Sequence, residues 1–298
     1  MSQDIFFETA RERYRMMLRK NIAAEADTIL QDTILDRRWS DDPIFQEFRF
    51  CNVFREDDKV TKWFREHVRN PLGARRADQV RAAVVFRWFN NIATGEQLET
   101  FFLLENWRHE EARGLVQLMA DRGERILNPA YMIKSPPGMN KTTGLFQCIA
   151  NVLDDLEMIT TEMMEGSSLQ KAHTLLQRYP YLGPFMAYQM ICDLRFTGVL
   201  GHATDINTWT APGPGSARGV GRMFFSDVAR YNYNSERDQE LLCDKMRYLL
   251  ECSREATFWP TEWPKWELST VQHWCCEYDK YMRVLLGEGT PKQRYRPA

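Results

Sequence analysis

Residues Tyr179–Gln189 (YPYLGPFMAYQ) carry the spacing most suggestive of chemistry. They predict a tight turn at Gly183 between two amphipathic helices. Such a turn leaves backbone N–H groups exposed at a helix N-terminus, a natural seat for a phosphate. Asp205 follows 22 positions after Gly183, within Thr204–Trp209 (TDINTW). A second stretch, Gly213–Gly219 (GPGSARG), reads as a Gly/Pro-rich loop holding Arg218, with Arg222 shortly after it.

Several familiar chemistries are excluded by the residues present. Gly138–Thr142 has the outline of a phosphate loop, but Asn140 replaces the glycine before Lys141 and Ser135 occupies the first glycine position. Gly213–Gly219 is not a dinucleotide fingerprint, because Arg218 stands where its third glycine belongs. His273 and Cys276 lie one helical turn apart, yet no further ligands cluster near them in sequence, so no metal site is expected. The seven cysteines, at 51, 148, 192, 243, 252, 275 and 276, contain no CxxC pair. They read as free thiols of a reducing cytoplasm.

The elements that must position these residues are mainly α-helical. Periodicity predicts a long helix from about Phe6 to Leu35 and a new helical start at Asp41-Asp42-Pro43. Further helices are predicted over 53–68, 74–90, 144–164, 169–177 and 236–252. A last helix, from Ser269 to about Leu285, places Val271, Trp274, Tyr278, Met282 and Leu285 on a buried stripe, with Glu277, Lys280 and Arg283 off it. At 44% hydrophobic residues the chain can fill one large core or two packed lobes. A net charge of −2 means that any nucleic-acid surface must be a local concentration of Arg and Lys. The charged N-terminus is unlike a signal peptide, and no apolar run is long enough for a membrane helix.

The order of hairpin and Asp205 resembles the helix-hairpin-helix DNA glycosylases. In that family the hairpin grips the DNA backbone and an Asp about twenty residues on faces a flipped nucleotide. Tyr181 replaces the family's first hairpin glycine. Phe185 stands where bifunctional members carry a nucleophilic Lys, which disfavours Schiff-base chemistry.

A closer resemblance spans about Phe48 to Arg296. Phe50–Lys59 (FCNVFREDDK), Leu182–Gln189, Asp205–Trp209, Gly213–Gly219, Cys276–Tyr281 (CEYDKY) and Gly287–Gly289 occur in the order of a phage-associated family. Those are the α-glutamyl/putrescinyl-thymine pyrophosphorylases, related to the helical domain found with 5-hydroxymethyluracil DNA kinases. The resemblance implies a glycosylase-like helical fold, with an N-terminal extension over 1–40 and a catalytic domain over 41–298. That domain is either single or two lobes with the active site between them. It also implies replacement of the pyrophosphate of 5-(pyrophosphoryloxymethyl)uracil in DNA by an amine from an amino acid or polyamine, with the kinase as pathway partner. The alternatives are a glycosylase excising a modified thymine and a non-catalytic DNA-binding module that recruits the kinase.

Under this resemblance Asp205 is the base for the attacking amine. Arg218 and Arg222, then Arg55, Arg87 and Lys280, with backbone at Gly183 and Gly215, are the candidates for holding pyrophosphate or DNA phosphate. Asn52, Gln189, Asn207 and Trp209 are assigned to the base, with Tyr188 and Phe54 as further aromatic surface. Asp58, Glu277 and Asp279 are assigned to the amine or to ordering the arginines. Mg²⁺ carried by the pyrophosphate fits its charge, although no ligand spacing demands it.

Overall fold

The computed structural model describes residues 2–27, 39–129, 131 and 133–296. Thirteen α-helices are seen among them: α1 Ser2–Asp27, α2 Pro43–Glu47, α3 Lys59–Phe64, α4 Arg76–Phe89, α5 Ile92–Leu103, α6 His109–Asp121 and α7 Lys141–Leu153. Then follow α8 Leu156–Gly166, α9 Leu169–Leu176, α10 Pro184–Leu194, α11 Pro214–Phe225, α12 Glu236–Cys252 and α13 Leu268–Leu285. The described residues form no strand beyond one antiparallel bridge between Phe48 and Arg294. The fold is mainly α, as the periodicity predicts.

The chain divides into two compact units. The first comprises residues 1–58 and 210–298. Its core gathers Phe6, Phe7 and Tyr14 of α1, Leu242, Met246 and Leu249 of α12, Trp266, and Val271, Trp274 and Tyr278 of α13. Trp274 Nε1 donates to the Phe6 carbonyl at 3.0 Å, so even the indole N–H is satisfied inside. Helix α1 is thus part of this core. Truncating Phe6 to Ala would cost about 3–5 kcal/mol on the scale of buried aromatics. The expected continuation of α1 towards Leu35 lies outside the described residues.

Local capping explains how α2 begins. Asp42 Oδ1 accepts the Ile44 N–H at 2.8 Å, with Pro43 in the first turn where its missing N–H is harmless. The other oxygen accepts the Tyr281 hydroxyl of α13 at 2.8 Å.

The second unit, residues 59–209, holds α3 to α10. Helix α4 is buried at every position from Gln79 to Phe89. A helix apolar on all sides suits a central position, but α4 also carries Arg81 and Arg87 inward. The single helix expected over 144–164 is two helices, α7 and α8, interrupted at Asp154-Asp155. Residues 177–183 turn the chain between α9 and α10. Tyr181 takes the left-handed conformation (φ 66°) that glycine adopts most easily.

Candidate active site

The first unit concentrates the charged candidates. The Gly/Pro-rich stretch expected as a loop is helix α11, started by Pro214 and by a Ser216 Oγ that accepts the Gly213 N–H at 2.9 Å. Three interior glycines weaken a helix intrinsically, so another gain must offset them, and packing on α13 supplies it. A Cβ on Gly219 would fall inside contact distance of the Cys275 carbonyl oxygen, and one on Gly215 would meet Cys276 Sγ. Gly215 is buried there, which removes its backbone from phosphate binding.

Close approach of α11 to α13 brings Arg218 and Arg222, four apart on one face, onto Asp279. Arg218 Nε donates to Asp279 Oδ2 at 2.9 Å, and Arg222 reaches Asp279 Oδ1 at 3.3 Å. Arg222 also pairs with Glu288 at 2.7 Å, and Arg283 stands 3.6 Å from Asp279. Asp279 is 1% exposed, whereas the Arg218 side chain is 42% exposed. A buried carboxylate therefore holds a half-exposed guanidinium through Nε, and no hydrogen bond to Asp279 uses the two terminal amino groups of the fork.

The second cluster lies where residues 50–58 meet α13. Glu277 is buried, although the apolar period of α13 leaves it off the core-facing stripe. Its Oε2 accepts the Cys51 N–H at 3.0 Å and the Lys280 ammonium. Burial alone would push this carboxyl up, but Lys280, His273 and the Cys51 N–H outweigh it and hold it below the usual carboxylate range. For Lys280, burial pushes down and Glu277 pulls up, with the net shift upward. Lys280 is thus a fixed cation with one committed partner, and its ammonium lies 5.1 Å from the centre of the Phe50 ring.

Asn52 donates its N–H to Asp58 Oδ1 at 3.1 Å and its Nδ2 to the Asp57 carbonyl at 2.7 Å. Arg55 begins the 3-10 turn Arg55–Asp57 between them. His273 Nε2 lies 3.1 Å from the Asn52 carbonyl oxygen. Burial and the nearby Glu277 push the Cys276 thiol up to about 11, so it is no thiolate nucleophile at neutral pH. His273, Cys51 and Cys276 have no part in the sequence-based assignment, because their neighbours come from remote segments.

Apart from Phe54, the remaining candidates belong to the second unit, and two have structural work. Arg87 is 2% exposed and forms a two-point ion pair with Asp193, with further bonds to Asn90 and Thr61. It is a core ion pair and not a phosphate ligand. Asp205 accepts Ser168 Oγ at 2.7 Å, Leu169 N–H at 2.7 Å and Gln170 N–H at 3.0 Å. A carboxylate holding the first N–H groups of α9 is a helix cap. The partners of its oxygens are those of a cap, and the general-base role expected from its spacing after Gly183 rests on the sequence alone.

Gln189 Oε1 accepts the Tyr131 hydroxyl at 3.0 Å. Trp209 packs its ring 5.3 Å from His173 and 6.2 Å from Tyr188. Asn207 is exposed in the turn after Asp205, and Gly183 is exposed at the N-cap of α10. Phe54, in the first unit, packs against Tyr14 and Trp259. A hollow of about 520 Å³ lined by Phe101, Glu111, Arg113 and Leu118 gathers none of the candidates.

Comparison with known proteins agrees with the breadth of the motif pattern. The profile of a family described as "5-hmdU DNA kinase, helical domain" matches residues 2–290. The chain is similar to the 5-hmdU DNA kinase of Bacillus phage SP10, with 22% identity over 315 aligned positions. That alignment covers 96% of this chain and 45% of the phage protein, so the chain spans less than half of its relative. No solved structure matches. No helix among the described residues is long and apolar enough to cross a membrane.

Proposed function

Because the chain belongs to the family of 5-hmdU DNA kinase helical domains, we propose that it acts on a 5-modified thymine in DNA within a phage base-hypermodification pathway. The reaction we assign is amine transfer to 5-(pyrophosphoryloxymethyl)uracil, as a member of the α-glutamyl/putrescinyl-thymine pyrophosphorylases. A C–N bond forms at the 5-methylene carbon, the C–O bond breaks, and pyrophosphate leaves with the electron pair.

The observation that supports this reading is Arg218, held through Nε by buried Asp279 beside Arg222 while its side chain stays 42% exposed. A leaving pyrophosphate gains negative charge as its bond to carbon breaks. A guanidinium already aimed at that charge stabilises it without reorganising. Mg²⁺ carried by the pyrophosphate would share that charge.

Glu277 accepts both of its hydrogen bonds on Oε2 and leaves Oε1 for the incoming amine. In this reading it holds the nitrogen and receives the proton shed as the C–N bond forms. Asp58, which accepts the Asn52 N–H, and Asn52, bonded through Nδ2 to the Asp57 carbonyl, shape the segment beside Glu277. The α9–α10 hairpin with Gly183 is assigned to the DNA backbone. Within the first unit, Arg55 is assigned to phosphate.

The test is mass spectrometry of nucleosides after incubating pyrophosphorylated hydroxymethyluracil DNA with the chain and a pool of amino acids and polyamines. The expected product is a 5-aminomethyl-linked deoxyuridine, with release of pyrophosphate. Abasic sites would establish a glycosylase instead. Unchanged substrate would reduce the chain to a DNA-binding companion of the kinase that makes this substrate's precursor.

A further inference from the structure

Cys51 and Asp58 lie more than 200 positions from His273, and no metal-binding spacing links them. The fold of the first unit brings one ligating atom from each to within 4.8 Å of the other two. We propose that Cys51, Asp58 and His273 form a binding site for a divalent transition-metal ion, zinc above all.

The donor set selects the ion. A thiolate, an imidazole and a carboxylate suit zinc, whereas Mg²⁺ and Ca²⁺ take oxygen ligands. Three protein ligands and one open position are the arrangement of zinc sites that handle a substrate oxygen.

The three groups are also held in place independently of any ion. The Cys51 N–H is anchored on Glu277, Asp58 Oδ1 accepts the Asn52 N–H, and the His273 ring is set against the Asn52 carbonyl. All three ligands thus hang on the two residues 51 and 52. Asn52 Oδ1, in the same segment, is buried and accepts no hydrogen bond, which leaves an acceptor there for a cation or a metal-bound water. Bond lengths near 2.1–2.3 Å set tetrahedral ligand atoms about 3.6 Å apart, so binding would draw these groups in by no more than roughly 1 Å. Side-chain rotation covers that change. Burial and the neighbouring Glu277 and Asp58 push the Cys51 thiol up, so it becomes a thiolate only as the ion displaces its proton to solvent, and affinity falls as pH is lowered.

Ion binding is read without substrate, so the proposal stands or falls apart from the transfer reaction. The full chain, stripped with a chelator, is titrated with Co²⁺ and then Zn²⁺. The expected result is about one Co²⁺ per chain in a four-coordinate site, with a thiolate-to-cobalt charge-transfer band that Zn²⁺ abolishes by displacement. Cys51→Ser should lose the band while the helical circular dichroism is unchanged. His273→Ala should weaken affinity by at least about tenfold. Cys276→Ser, one helical turn from His273, should keep the band and the affinity. The proposal is overturned if the wild-type chain shows no band, if the band survives Cys51→Ser, or if it disappears with Cys276→Ser.

Discussion

Asp205→Asn separates a helix cap from a catalytic base. The carboxylate receives three hydrogen bonds, two of them from backbone N–H groups at the start of α9. Each hydrogen bond to a charged group contributes about 1.5–3 kcal/mol net in a well-shielded site. Asp205 is only partly buried, so water recovers much of that when the group is lost. Loss of an N-cap costs about 0.5–2 kcal/mol, and loss of a charge at a helix N-terminus about 0.3–1 kcal/mol. Taken together, Asp205→Ala should destabilise by about 1–3 kcal/mol. Asp205→Asn keeps one acceptor oxygen and should lose about 1–2 kcal/mol. Urea unfolding gives the stability, and the nucleoside assay gives turnover. Ser168→Ala is the matched control, since Ser168 shares the cap without any capacity to act as a base. Asp205→Asn is expected to track that control, with turnover within a few-fold of wild type under folding conditions. A loss of turnover beyond 100-fold (roughly 2.7 kcal/mol of barrier) with unchanged stability would refute the cap reading and restore Asp205 to the chemistry.

Three further outcomes follow from the same geometry. Asp193→Asn leaves Arg87 buried without its counter-charge and should cost about 3–5 kcal/mol in urea unfolding. The double variant Asp193→Leu/Arg87→Met should recover a large part of that loss, and failure to recover any would argue against a desolvated ion pair. Gly219→Ala forces α11 away from the Cys275 carbonyl and should cost about 3 kcal/mol or more, against a typical overpacking penalty of 1–3 kcal/mol. Gly213→Ala, with open space around its Cβ, is the comparison, and equal effects would remove the close-packing argument. Glu277, held below the usual carboxylate range, contributes stability that is present above that range and lost as pH falls through its lower folded value. Glu277→Gln should therefore be less stable near neutral pH and show a shallower acid decline. An acid limb parallel to that of the wild type would show that Glu277 is not the group responsible.

The parts legible in sequence are those decided by neighbours along the chain. Asp42-Pro43 caps α2 through bonds to residues two and three positions on, so its chemistry is complete within one window. The apolar stripe Val271, Trp274, Tyr278 and Met282 of α13 is equally local, because its period alone says which face is inward. Leu285 breaks the pattern at 50% exposure, since the last turn of a helix runs past the core that the period describes.

Charge burial follows a different logic. Glu277 and Asp279 sit inside because Lys280, the Cys51 backbone, Arg218 and Arg222 meet them there, and only Lys280 is near in sequence. Glycine is ambiguous for the same reason. Gly215 and Gly219 read as loop residues by propensity, yet the spacing of four that puts both on one helical face has meaning only once α13 is known to lie against it. Asp205 shows the converse error. A spacing that resembles a catalytic pattern is equally the spacing needed to return from the α9–α10 hairpin and cap α9. The distance from Gly183 carries no information about which of these the carboxylate does, whereas the donors around its oxygens do.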